Sequence, residues 1–142
     1  MEPNERWNYL VALDDELLKG GVILPEWCSF IIQQADITFV NGAHLASILT
    51  TVSAIETYLR AEHSVSGKER LVDLIDRLPG TSRLRNDLHS LRKYRNSWVH
   101  VDDPWNDQNI IENTEVYEAE LERVAVNSAK LLREVIYSVP WI

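Results

Sequence analysis

Arg95, Asn96 and His100 stand within one turn and a half of sequence in the stretch LRKYRNSWVHVDDPWND, Leu91 to Asp107. A permanent cation, an amide and an imidazole are the groups that phosphoryl transfer without a metal requires. A base takes a hydroxyl proton, an acid protonates the leaving oxygen, and a cation meets the charge that builds on phosphorus. In cutting RNA, His100 would move the protons and Arg95 would hold the phosphorane. Asn96 would orient the phosphate or bond the ribose. The stretch offers one imidazole where the reaction asks for two proton-transfer groups. A two-fold dimer would supply His100 and Arg95 twice, in a composite site.

Position on the helix adds a fourth residue. At about 100° per residue, Leu84, Leu88, Leu91 and Trp98 share one apolar stripe, and Arg95 falls within it. In the preceding long helix Leu45, Ile48, Leu49, Val52, Ile55 and Leu59 share another stripe, and Glu56 falls within that one. An unpaired charge in a core costs several kcal/mol, roughly 2–7 even for a neutral polar group, so the two opposite ions are expected to meet. The spacing therefore predicts a shielded Glu56–Arg95 ion pair. Such a pair would serve either as a bridge fixing helix register or as the support of a prepared phosphate clamp. Arg92 and Lys93 are candidate phosphate guides, and Tyr94 and Trp105 are candidate stacking surfaces for a base. Trp98 lies on the apolar stripe, which assigns it to the core or an interface. An arginine neighbour would lower the affinity of His100 for its proton. The helix C-terminus or Asp102 would raise it, and the sequence leaves that balance open.

The elements that must position these groups read as helices throughout. The spacing predicts a first helix over about 4–19, closed by Gly20-Gly21, and a second from Pro25 to about Phe39, ending near Asn41-Gly42. A third runs from Ala43 to His63, and a short fourth spans about 69–78 before Pro79-Gly80. Thr81 or Ser82 caps a fifth that runs to about Trp98. After the break at VDDPWND a last helix runs from about Ile111 to Tyr137, with Tyr117, Leu121, Val124, Leu131, Leu132 and Val135 on one broad face. The expected fold is all-α: a single domain over 1–142, built as a bundle of five to six helices.

Composition fits that reading. Of 142 residues 45% are hydrophobic and 25% charged, the balance of a globular chain. No run of residues is long and apolar enough for a membrane span, the acidic start is unlike a secretory signal, and a cytoplasmic location is expected. The lone Cys28 has no partner for a disulfide and is expected as a small buried hydrophobe. No metal site or cofactor is expected: the acidic runs lack histidines at ligand spacing, and no glycine-rich phosphate loop occurs. His44 and His63 are isolated, and His89 reads as a surface residue. The net charge of −8 argues against binding nucleic acid by bulk charge. Residues 83–100 nonetheless carry +4, leaving −12 on the rest, so an anion would be focused onto that one segment.

RNSWVH, following SAIETYLR on a long helix, resembles the signature of HEPN domains, an Arg and a His separated by four to six residues with a polar residue after the Arg. The resemblance covers about 28–138, with the helix over about 4–19 as an N-terminal addition. It implies a helical domain that dimerises with its motifs face to face. The implied function is that of a metal-independent endoribonuclease in a toxin–antitoxin or phage-defence setting, with RNA, a second copy, and a cognate antitoxin or regulatory protein as partners. Arg95, Asn96 and His100, supported by Glu56, would be catalytic, and Arg92, Lys93 and Tyr94 would bind RNA. Other members of the family are non-catalytic modules that bind RNA or a protein. The small residue that commonly follows the His is replaced here by Val101-Asp102-Asp103, and two acids beside a phosphate favour that second class. A helical bundle with a purely structural ion pair is the third reading.

Overall fold

A computed structural model describes residues 1–138. Six helices form one all-α domain, in the order α1 (Pro3–Leu17), α2 (Glu26–Val40), α3 (His44–His63), α4 (Leu71–Asp76), α5 (Ser82–Val99) and α6 (Thr114–Ile136). The ends depart from the sequence reading for local reasons. Helix α1 stops at Leu17, because Leu18 already adopts an extended conformation ahead of the two glycines. Pro25 is the N-cap of α2 rather than its first residue. Helix α4 is shorter than expected because Glu69 leaves the helix to organise the preceding loop. Its carboxylate accepts from the Ser64 hydroxyl at 2.5 Å and from the amides of Val65 at 2.8 Å and Ser66 at 2.7 Å. Those donors hold its pKa well below the usual carboxylate range. Thr81 caps α5 as expected, accepting from the Leu84 amide at 3.2 Å.

Helices α3 and α6 form the central pair. Helices α1 and α2 cover one flank of that pair, α4 and α5 the other, and the two flanks share no contact. Buried small residues, Ser47, Thr51 and Ala54 on α3 and Ala125, Ser128 and Ala129 on α6, suit a close approach of the central helices. Ile48, Val52, Ile55 and Leu59 continue the core on α3, and Leu84, Leu88 and Leu91 bring α5 onto it. Cys28 is fully buried, as expected, and burial pushes its thiol pKa up.

One turn shows how tightly the flank of α1 and α2 closes. Arg6, buried at the start of α1, donates from Nε to the Val40 carbonyl at 2.9 Å and from Nη1 to the Met1 carbonyl. Its guanidinium lies 3.0 Å from where a Cβ on Gly42 would stand, and Gly42 has φ +74°. Both facts restrict that position to glycine.

No helix among the described residues is long and apolar enough to cross a membrane.

Candidate functional site

The motif occupies the last turn of α5 and the residues beyond it. His100 is the C-cap, and its amide donates to the Asn96 carbonyl at 2.9 Å. Its backbone, at φ −126° and ψ 64°, turns the chain out of the helix, and its side chain is exposed. Arg95 is half-buried. Its Nε donates to Asn96 Oδ1 at 2.9 Å, so the amide of the neighbouring residue steadies the guanidinium. No carboxylate bridges Arg95 among the described residues, and Nη1 and Nη2 make no hydrogen bond there. A fork of two N–H groups held at one end and open at the other is suited to an oxyanion.

The expected Glu56–Arg95 pair does not form. Glu56 lies on the flank of α3, with 35% of its side chain exposed, and reaches Arg60 one turn further on at 3.5 Å. The buried residues of α3 centre on Ile48, Val52, Ile55 and Leu59. Leu45 and Leu49, which would have widened the stripe to include Glu56, are only partly buried. Arg95 does follow the α5 stripe by angle, but it lies one turn beyond Leu91, the last buried residue of that helix. Neither ion is driven to a partner across the core.

The other candidates fall around this end in different ways. Arg92 stands one turn back on α5. Its Nη2 is 3.5 Å from His89 Nδ1, while His89 Nε2 is 2.7 Å from Asp76 Oδ1 on α4. His89 is thus partly enclosed and tied to a neighbouring helix, rather than free at the surface as expected. Arg92 Nε is buried without a hydrogen-bond partner among the described residues. Lys93 is exposed. Tyr94 packs against the core, and its hydroxyl is buried without a hydrogen-bond partner among the described residues. Burial is the main influence raising its pKa. Tyr94 also lines a shallow groove with Asp87, Glu120 and Arg123. Trp98 also packs against the core and meets Tyr117 of α6 edge-on, with ring centroids 6.3 Å apart and planes at 85°.

Beyond the motif the chain forms an open cleft of about 560 Å³ beside Ser97, Trp98 and Tyr117. Val101, Pro104, Ile110 and Ile111 give it an apolar wall, and Asp103, Asp107 and Glu112 an acidic rim. Trp105 lies next to it with 90% of its surface exposed. The loop is shaped locally. Asp103 accepts from the Trp105 amide at 3.2 Å, Asn109 takes φ 54°, and the Tyr117 hydroxyl donates to the Gln108 carbonyl at 3.0 Å. Neither Arg95 nor His100 lines this cleft, whose aromatic edges and carboxylate acceptors suit a base.

Sequence reasoning overlooked a second charged cluster, on the opposite flank. Arg133 of α6 is only 3% exposed. It donates from Nε to Asp14 Oδ1 at 2.9 Å, and from Nη1 and Nη2 to the two oxygens of Asp36 at 3.1 and 2.9 Å. The Tyr137 hydroxyl donates to the same Asp14 oxygen at 2.7 Å. Burial pushes the Asp36 carboxyl pKa up against the pull of Arg133, while burial and the bond to Asp14 raise that of Tyr137. The signal was in the sequence: Asp36 interrupts the apolar run of α2, and Arg133 interrupts the apolar end of α6. No cluster of His, Cys, Asp and Glu among the described residues could hold a metal ion.

Compared with models of protein families, with curated proteins and with solved structures, the chain finds no match.

Proposed function

We propose that the chain is a HEPN-like, metal-independent endoribonuclease whose active form is a homodimer, working in a toxin–antitoxin or phage-defence setting. The observation that carries this reading is the state of Arg95. Its guanidinium is steadied at Nε by Asn96 and left open at both terminal nitrogens among the described residues, five positions before an exposed His100 at the helix end. In the reaction one His100 takes the proton of the 2′-hydroxyl, and the oxygen attacks phosphorus. The second copy's imidazole protonates the leaving 5′-oxygen, giving a cyclic phosphate and a free 5′-hydroxyl. The Arg95 forks bind the non-bridging oxygens as their charge grows. Arg92 and Lys93 guide neighbouring phosphates. Asn96 acts by fixing Arg95, and Glu56, paired with Arg60, drops out of the catalytic set.

The test is RNA cleavage in EDTA by the wild type, Arg95→Ala and His100→Ala. Loss of one acid or base from such a site lowers the rate by about 10²–10⁴. Equal, background-level cleavage by all three proteins would sink the enzyme reading.

A second reading is favoured by the acids that follow the motif. Asp102 and Asp103 succeed His100, and Asp107 and Glu112 edge the cleft, all of them exposed. In that reading the chain is a non-catalytic module, and the same end binds RNA or a protein partner. Saturable RNA binding, abolished by Arg95→Ala but without cleavage, would select it.

A further inference from the structure

Between the end of α5 and the first turn of α6 the chain sets apolar side chains in the open. Val99, Val101, Trp105, Ile110, Ile111 and Val116 are all exposed there, Ile111 with 89% of its surface in water. Val101, Ile110 and Ile111 line the cleft of about 560 Å³ beside Trp98 and Tyr117. Bonds within the loop shape that cleft: Asp103 accepts from the Trp105 amide, and the Tyr117 hydroxyl donates to the Gln108 carbonyl. A shaped groove with an exposed apolar wall marks a binding surface.

Charge decides what covers it. No lysine or arginine stands between Arg95 and Arg123 in the sequence, whereas Asp102, Asp103, Asp107, Glu112, Glu115 and Glu118 all fall in that interval. None of these carboxylates meets a cation among the described residues. Acids elsewhere are treated differently: Asp14 and Asp36 are bridged by Arg133, Glu134 by Arg83, and Asp76 by His89. Asp103, Asp107 and Glu112 line the cleft itself, so free charge and apolar wall belong to one surface. An occupant that carries cations beside apolar side chains satisfies both parts at once. Other occupants meet opposition. An RNA base would bring its phosphate towards unpaired carboxylates, and a second copy of the chain brings a net charge of −8.

We infer that this cleft docks a basic and apolar peptide segment of another protein. Lys or Arg of the segment pairs with Asp103, Asp107 and Glu112, and an aliphatic or aromatic side chain covers Ile110 and Ile111. Neither Arg95 nor His100 lines the cleft, so the inference holds whether or not the chain cuts RNA.

The test is fluorescence anisotropy of the labelled peptide KLKKLKKLKK with the full chain at physiological ionic strength. KSKKSKKSKK and ELEELEELEE serve as control peptides. The expected result is saturable binding of KLKKLKKLKK alone. Asp107→Asn combined with Glu112→Gln should weaken it about tenfold, as the loss of two exposed charge pairs allows, and Ile111→Ser about fivefold. Asp15→Asn, on α1, should bind as the wild type does. All four side chains are exposed, so the variants keep the fold, which circular dichroism checks. Arg95→Ala should also bind as the wild type does, which separates a failure here from a failure of the nuclease reading. A wild type that does not bind KLKKLKKLKK overturns the inference. Equal binding of KSKKSKKSKK overturns it too, since the acids would then act without the apolar wall. So does an equal loss in Asp15→Asn, which would reduce the effect to net charge. An oligouridylate that displaces the peptide would give the cleft to RNA, and a wild-type dimer split by Ile111→Ser would give it to a second copy. Either result overturns the inference.

Discussion

Two arginines on opposite flanks of the domain show what a charge near a core can become. Arg133 is enclosed and fully answered: two carboxylates bond all three of its nitrogen centres, and one of those carboxylates also receives a tyrosine hydroxyl. Arg95 is half-enclosed and, among the described residues, answered once, by a neutral amide next to it in sequence. The first arrangement ties α1, α2 and α6 together and commits each nitrogen of the guanidinium to a carboxylate. The second fixes the side chain's direction and keeps its charge available. A cation surrounded by carboxylates belongs to the fold. One steadied by an amide, with no carboxylate on its terminal nitrogens among the described residues, is equipped to meet a ligand.

Breaking the enclosed cluster is expected to give the largest effect on stability. Arg133→Ala leaves Asp36 and Asp14 facing a partly dry cavity, and removing one member of a buried pair costs about 3–5 kcal/mol. Urea denaturation should show that loss as a lower midpoint with an unchanged slope. A loss under 1 kcal/mol would mean that the cluster is wetter than its geometry implies. It would also remove the contrast drawn between the two arginines.

Arg95→Ala should behave in the opposite way. Stability should move by no more than about 0.5 kcal/mol, as for an ordinary position outside the core. Cleavage, in contrast, should fall by about 10²–10³, the usual cost of losing one group that stabilises a developing oxyanion. The two readouts have to diverge. If Arg95→Ala destabilises the fold as much as Arg133→Ala, Arg95 is a structural ion, and the free fork seen at its end has no task.

The contrast also shows which part of the molecule was legible in the sequence. Helices were readable because apolar positions recur at helical spacing and because Gly, Pro and a Thr cap punctuate them. Thr81 before α5 and Gly42 after α2 fall where the sequence reading put a boundary. The rule that opposite charges within apolar stripes must meet was also sound, but it was applied to the wrong pair. Glu56 is central on α3 only if Leu45 and Leu49 belong to the core, and both lie at its edge. Asp36 and Arg133 obey the rule, although they are 97 residues apart. Periodicity within one helix says which side faces inward. It does not say which other helix is waiting there, since that depends on how α1 and α2 are laid over α6. The ends of α4 and α6 were misjudged for a related reason. The Glu69 carboxylate is recruited by a loop, and residues 110–113 form turns before α6 starts at Thr114, neither of which leaves a periodic trace.

The smallest expected effect falls on the residue that the sequence made most of. Glu56 pairs only with Arg60, one turn away on the same helix, at 3.5 Å and with about a third of each side chain in water. Pairs of that kind contribute about 0.3–0.5 kcal/mol. Glu56→Gln keeps the size and polarity of the side chain, so stability should fall by no more than this amount and cleavage should be unchanged. Salt provides a second handle, because a solvent-exposed pair is screened at high ionic strength. The difference between wild type and variant should shrink as salt is added. A large and salt-insensitive loss of stability would show that Glu56 is drier than its position on α3 implies. A loss of cleavage at unchanged stability would return Glu56 to the site, with Arg95 reaching it only when two copies or an RNA draw the end of α5 inward.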